Sequence, residues 1–307
     1  MHPVDHVQLS FDQGGLFALN IVLGLIMFGV SLDLSAEDFK RAARHPRAPI
    51  AGMLAQFFIM PALTFCLVLA LAPPPSIALG MILVASCPGG NVSNFIVHTG
   101  RGDTALSVTM TAISTAAAVV MTPLNVGFWG GMLPGTAEIL RSFSIGYATM
   151  FQSVFVLLGI PLVLGMLTAR YLPKVARFLR KPFKVISILF FFVFIAVAFY
   201  GNMQHFTGVI GYIFLPVLLQ NALSLATGYL TGLAARLAPA QRRALCIEVG
   251  IQNSGLGLVL IFGFFGGLGG MAVIAAWWGI WHIIAGLSVA GAWVWRDRAR
   301  AAQAPAA

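Results

Sequence analysis

Apolar stretches of about 20 residues or more recur along this chain with short polar segments between them, and nothing else in the sequence limits its possible folds as strongly. They fall at about 14–34, 48–71, 76–99, 104–128, 143–169, 184–204, 208–234, 244–268 and 271–295. A helix rises about 1.5 Å per residue, so each run can cross a hydrocarbon core roughly 30 Å thick. Hydrophobic residues make up 59% of the 307 and charged residues 9%, and mean hydropathy is +0.91, outside the range of soluble domains of this length. The expectation is an all-α polytopic membrane protein with nine transmembrane helices.

Charge orients those helices. The formal net charge is +9, but the basic residues are confined to short connections, so topology explains the charge and a nucleic-acid partner is not indicated. Lys40, Arg41, Arg44 and Arg47 follow the first run and Arg101 the third. Arg170, Lys174, Arg177, Arg180, Lys181 and Lys184 follow the fifth, Arg236, Arg242 and Arg243 the seventh, and Arg296, Arg298 and Arg300 the ninth. Only Arg141 of the 18 Lys and Arg lies on the opposite side. The positive-inside rule then puts the N-terminus outside and the C-terminus in the cytoplasm of a cell (inner) membrane protein.

Several conspicuous residues have ordinary explanations. Trp129, Trp277, Trp278, Trp281, Trp293 and Trp295 suit packing and interfacial anchoring. The run Phe190, Phe191, Phe192, Phe194 and Phe199 suits a lipid-facing or core surface. Cys66, Cys87 and Cys246 lack metal-ligand or disulfide spacing. MHPVDHVQLSFDQ lacks a signal-peptide pattern, and RDRARAAQAPAA is expected to form a disordered tail.

Runs three and eight are interrupted. SCPGGNVSNF (86–95) places Pro88, Gly89 and Gly90 near mid-span, and QNSGLG (252–257) does the same without proline. Proline removes a donor and glycine weakens a helix. Freed backbone groups in lipid must be satisfied by protein or by a water-filled cavity. Two such breaks in two halves of a chain point to the binding site of a secondary transporter built from inverted repeats. A looser echo sets Gln56 and Pro61 in run two against Pro216 and Gln220 in run seven.

Glu248 is the one acidic residue clearly inside a run, which makes it a functional candidate, unless it snorkels or pairs with Arg243. Ser93, Asn94, Ser107 and Thr111 supply neutral oxygens around a single carboxylate, a set suited to Na⁺ and unlike multi-carboxylate Ca²⁺ sites. Gln56, Gln252 and the carbonyls near Val249 and Ile251 form a second cluster beside the same Glu248. Two Na⁺ against one carboxylate leave about one positive charge, so an anion is the natural third ligand. Half-helix N-termini at the breaks add to that field.

CPGGNVSNF (87–95), ALSVTMTAIST (105–115), AQFFIMP (55–61), IEVGIQNSGLG (247–257) and WHII (281–284) together resemble the bile acid:sodium symporter family, in motif order from about residue 20 to 295, in its nine-span bacterial form. The resemblance implies a core domain with two crossing discontinuous helices and a panel domain. In those terms residues 1–13 are an extracytoplasmic segment, 14–47 and 143–206 panel, 48–142 and 207–295 core, and 296–307 a cytoplasmic tail. It implies a first sodium site of Ser93, Asn94, Ser107, Thr111 and Glu248, and a second of Gln56, Glu248, Val249, Ile251 and Gln252. Asn91, Asn253 and His282 would line the substrate cavity. Asn91 stands where several bacterial relatives carry Thr, which leaves the substrate open among bile acids, pantoate, pyruvate and other organic anions.

The expected function is sodium-coupled import of an organic anion by alternating access, in a lipid bilayer, with two Na⁺ as co-transported ions. The oligomeric state stays open, a monomer included. A proton-coupled transporter needs only Glu248 and ranks second. A channel would need a continuous polar pore, and a sensor a signalling domain. Enzymatic chemistry ranks last because the spans offer no paired carboxylates, metal-ligand spacing or nucleophile with a base.

Overall fold

The computed structural model describes residues 24–143, apart from 26, 30 and 91, and residues 151–303, apart from 153, 201 and 202; side chains at 157, 184, 187–188 and 190–212 are also outside it. The start of the first expected span and the phenylalanine run therefore lie outside the described set. Among the described residues the regular structure is all helical, and Gly89 and Gln252 form an isolated antiparallel bridge.

A short helix α1 (Ala36–Arg44) precedes α2 (Arg47–Leu71), which is long and apolar enough to cross a membrane. Within α2, Ala55–Ile59 form a π-helical turn just before Pro61. Proline cannot donate to the carbonyl four residues back and its ring clashes there; the wider turn absorbs that clash. The Phe57 carbonyl accepts from Asn125 Nδ2 instead, at 3.0 Å. The chain continues through α3 (Pro75–Ser86), α4 (Val92–Thr99), α5 (Thr104–Gly131) and α6 (Pro134–Ser142). A second π turn, Phe155–Gly159, precedes Pro161 and α7 (Ile160–Tyr171). Then come α8 (Pro173–Tyr200), α9 (Met203–Ala234), α10 (Pro239–Gly250), α11 (Ser254–Phe264) and α12 (Gly269–Gln303).

Four described helical segments are long and apolar enough to span: Arg47–Leu71, Thr104–Gly131, Ile213–Ala234 and Gly269–Gln303. Pro75–Ser86, Ile160–Tyr171 and Ser254–Phe264 are apolar but shorter. Two of these three are halves of interrupted runs, shortened where the sequence broke them.

The main core gathers α3 and α11 against α5 and α12. Every residue from Ser76 to Ser86 is buried, as is nearly all of α11; helices apolar all round are buried on all sides. α2, α7 and α8 instead expose Phe58, Leu69, Leu164, Leu167 and Leu189, as lipid-facing helices do.

One expectation is corrected. α12 continues to Gln303, so much of the supposed disordered tail is helix: alanine and arginine favour helix, and Asp297 is anchored by Arg243. Of the packing and anchoring roles expected for the tryptophans, Trp278, fully buried, and Trp293, nearly so, take the first.

Candidate functional site

The breaks in runs three and eight meet. α3 ends at Ser86, and Cys87 is extended (ψ 156°), as a residue before proline prefers. α10 ends at Gly250, and Ile251 is likewise extended. The Gly90 amide donates to the Ile251 carbonyl at 2.9 Å, and the Asn253 amide to the Pro88 carbonyl at 2.8 Å. Each break thus satisfies backbone groups freed by the other, which lipid could not do.

Other carbonyls at the breaks are met by side chains. Gln56 Nε2 donates to the Cys87 carbonyl at 2.7 Å, and Asn221 Nδ2 to the Gly250 carbonyl at 2.8 Å. The Ser86 carbonyl accepts from Thr122 Oγ1 at 2.7 Å. Asn253 caps α11, its Oδ1 accepting from the Leu256 amide at 3.0 Å, a side-chain N-cap.

Glu248 lies one turn before the second break and is buried, with Gly89 directly against it: a methyl group at Gly89 would stand 2.6 Å from Glu248 Oε2. Only glycine admits that approach. Ser93 and Ser107 hydroxyls both donate to Glu248 Oε1. Thr111 Oγ1 lies 3.1 Å from Oε1 and 3.2 Å from Oε2. Asn94 Oδ1 faces the same group, 2.7 Å from Ser107 Oγ and 3.4 Å from Thr111 Oγ1. Ser107 and Thr111, four residues apart on α5, share a face, and Ser93 and Asn94 open α4. All five residues of the first expected set therefore converge.

The cluster has more acceptors than protons. Three hydroxyls carry one proton each, while the carboxylate offers about four lone-pair sites and Asn94 Oδ1 two more. A small cation complements such a surplus. Among the described residues no three His, Cys, Asp or Glu side chains gather, so one carboxylate with neutral oxygens is the cation chemistry available here.

The second expected set also assembles, in a different state. Gln56 Nε2 donates to Gln252 Oε1 at 2.7 Å, and Gln252 Nε2 to the Val249 carbonyl at 3.0 Å. With Ile251 accepting from Gly90, each of these oxygens is engaged by an N–H. Glu248 stands beside them, across Gly89.

Of the expected substrate residues, Asn91 lies outside the described residues. Asn253 is partly buried at the break. His282 is buried, its Nδ1 without a hydrogen-bond partner among the described residues and its ring edge-on to Trp278 at 6.4 Å. One turn further, Gly286 touches Ile251 and Ile96, which puts this face of α12 beside the crossing.

Arg243 does not pair with Glu248. It forms a bidentate bridge to Asp297, Nη1 to Oδ2 at 2.7 Å and Nη2 to Oδ1 at 2.8 Å. Five residues at about 100° each put Glu248 roughly 140° round α10 from Arg243, on another face. Sequence reasoning passed over Asn221 and Asp297. A buried-amide position beside Gln220 was the only available signal for the first, and none existed for the second.

The model of the sodium bile acid symporter family matches residues 20–209. A Bacillus subtilis (strain 168) protein named as an uncharacterized sodium-dependent transporter is 34% identical over 294 residues, covering 93% of this chain and 87% of its own length. A probable chloroplastic sodium/metabolite cotransporter of Oryza sativa subsp. japonica is 32% identical over 238 residues, 78% of this chain and 55% of its own. One from Arabidopsis thaliana is 31% identical over 272 residues, 88% of this chain and 65% of its own. The chain thus spans most of the Bacillus protein but less than two thirds of either plant protein.

Proposed function

The chain belongs to the sodium bile acid symporter family, and from that premise we propose that it imports an organic anion, a bile acid or a small carboxylate, together with two sodium ions by alternating access. It is a multi-pass membrane protein and a sodium-coupled transporter, not an enzyme. The observation that carries the finer reading is the acceptor surplus around Glu248, where Ser93, Asn94, Ser107 and Thr111 meet the carboxylate at the crossing of two broken helices.

The first sodium would sit among those five residues. The second would take Gln56, Glu248, Gln252 and the carbonyls of Val249 and Ile251, once the Gln56–Gln252 bond yields. Two cations beside one carboxylate leave a net positive field, to which the N-termini of α4 and α11 add. An anion held by Asn91, Asn253 and His282 would neutralise it. Residues 48–142 and 207–295 would then form an inverted-repeat core moving against a panel of 14–47 and 143–206, within nine spans. The pairs Gln56–Cys87 and Asn221–Gly250, each an amide from the preceding long helix on the carbonyl one residue before the one that accepts across the crossing, support that repeat. The N-terminus would face outside and the C-terminus the cytoplasm of the inner membrane.

The test is thermal stability of the purified protein in detergent, titrated with NaCl against KCl at constant ionic strength. A saturable sodium-specific rise, lost in Glu248→Gln, is expected because a ligand bound only by the folded state stabilises it. Equal behaviour in Na⁺ and K⁺ with a response to pH would replace sodium by a proton at Glu248.

A further inference from the structure

The cluster at Glu248 is divided among three pieces of chain, with Ser107 and Thr111 on the long helix α5 and the rest on two short ones. Glu248 rides on α10, while Ser93 and Asn94 ride on α4, a helix of eight residues and about 12 Å. The site exists only while these two short helices keep their axial register: a slip of one residue, about 1.5 Å, would carry the carboxylate out of hydrogen-bond range of Ser93. One end of the pair is tied by the antiparallel bridge at the crossing. The other end is tied at Arg243.

Arg243 is buried, and its guanidinium reaches three elements at once. Besides the bidentate bridge from α10 to Asp297 on α12, Nη1 donates to the Gly100 carbonyl at 3.0 Å, immediately after α4. The guanidinium also lies 5.6 Å from the ring centroid of Trp293 on α12. A backbone bond runs alongside, from the Asp103 amide to the Ala240 carbonyl at 2.9 Å. A buried guanidinium is tolerated only when its charge and donors are matched, and its planar fork fits a carboxylate in one geometry. The pair therefore resists sliding in a way a purely apolar contact would not.

We infer that the Arg243–Asp297 pair is a positioning clamp for the sodium site: it holds α10 in register with α4 so that Glu248 faces Ser93 and Asn94, without touching the ion. This inference rests on the sodium reading above. Arg243 acts through Glu248, five residues along the same unbroken helix, and Asp297 acts through Arg243.

The experiment titrates the full-length protein in detergent with NaCl, with melting temperature in KCl as a separate measure of fold. Wild type is compared with Asp297→Asn, Arg243→Lys and the exchanged pair Arg243→Asp with Asp297→Arg. Asp297→Asn is expected to raise the half-saturating sodium concentration about tenfold, the scale of outer-shell losses at ion sites. Arg243→Lys, a point charge that cannot fork, should lie between it and wild type, and the exchanged pair should recover part of the loss. If Asp297→Asn does not fold, Asp297→Glu, which keeps the charge but displaces it by a methylene, must show the weakened sodium response. A wild-type half-saturation in a folded variant, or a melting temperature lowered equally in Na⁺ and K⁺ with half-saturation unmoved, would leave the pair as plain structure and the sodium reading intact. A wild-type protein indifferent to sodium would overturn both.

Discussion

Asn221 Nδ2 donates to the carbonyl of Gly250 at 2.8 Å, closing the end of α10 only two residues beyond Glu248. Both residues are fully enclosed, so the carbonyl has no water to fall back on. Asn221→Leu keeps the volume and removes the donor. Leaving a buried acceptor unpaired costs about 1–3 kcal/mol, and denaturant unfolding should show a loss in that range. Half-saturating sodium should rise as well, because the end of the helix that carries Glu248 loosens.

Gly89 tests the closeness of the two breaks. A methyl group there would meet Glu248 Oε2 at 2.6 Å and the Glu248 carbonyl at 3.3 Å, well inside van der Waals contact. Gly89→Ala should abolish the sodium-specific thermal shift while the protein still purifies as a folded species; an unchanged titration would mean the carboxylate is free to move aside.

The hydroxyls of α5 should separate by position. Ser107 touches both Glu248 and Asn94, whereas Ser114 only returns to the Thr111 carbonyl, at 3.2 Å. Ser107→Ala is expected to weaken sodium binding about tenfold or more, and Ser114→Ala to leave it near wild type. Equal effects in isothermal titration would dissolve the first site.

Asp297 lies beyond the apolar runs, where the hydrogen bond from Arg243 holds its carboxyl below the usual carboxylate range. A carboxyl depressed in the folded state contributes stability that is complete above its unfolded value, about 3.9, and lost as pH falls through the folded value. The melting-temperature gap between wild type and Asp297→Asn should thus hold steady from about pH 8 to about pH 5 and close below about pH 4. A gap unchanged down to pH 3 or so would detach the effect from the ion pair.

Transport itself should carry charge. On the proposed stoichiometry, two Na⁺ with one monovalent anion would move about one positive charge inward per cycle, worth roughly 2.3 kcal/mol per 100 mV. Reconstituted protein should show an inward current that needs both sodium and substrate, and electroneutral uptake would argue for a different stoichiometry.

Much of this was legible in the sequence because it is local. Run length and composition select membrane helices, and Pro88 with its two glycines breaks a helix wherever it stands. An acid inside an apolar run announces itself by its cost. The five residues of the first cluster could be named because each is an oxygen-bearing side chain in an otherwise apolar run, and the resemblance of the surrounding motifs supplied their grouping. Trp278 shows the complementary case: tryptophan serves interfaces and cores alike, and only its neighbours decide which.

What the chain's order alone determined, then, is the apolar runs, the basic residues that flank them, the two breaks and the presence of Glu248. Tertiary structure decided the rest. Ser93 and Glu248 are 155 positions apart, and Gln56 and Gln252 196, separations across which no periodicity or propensity carries information. Their meeting depends on freed backbone groups at one break finding those at the other inside a lipid-like interior that offers no alternative partner. Arg243 shows the same limit at short range: helical geometry turned it away from Glu248, and only the packing of α12 supplied Asp297.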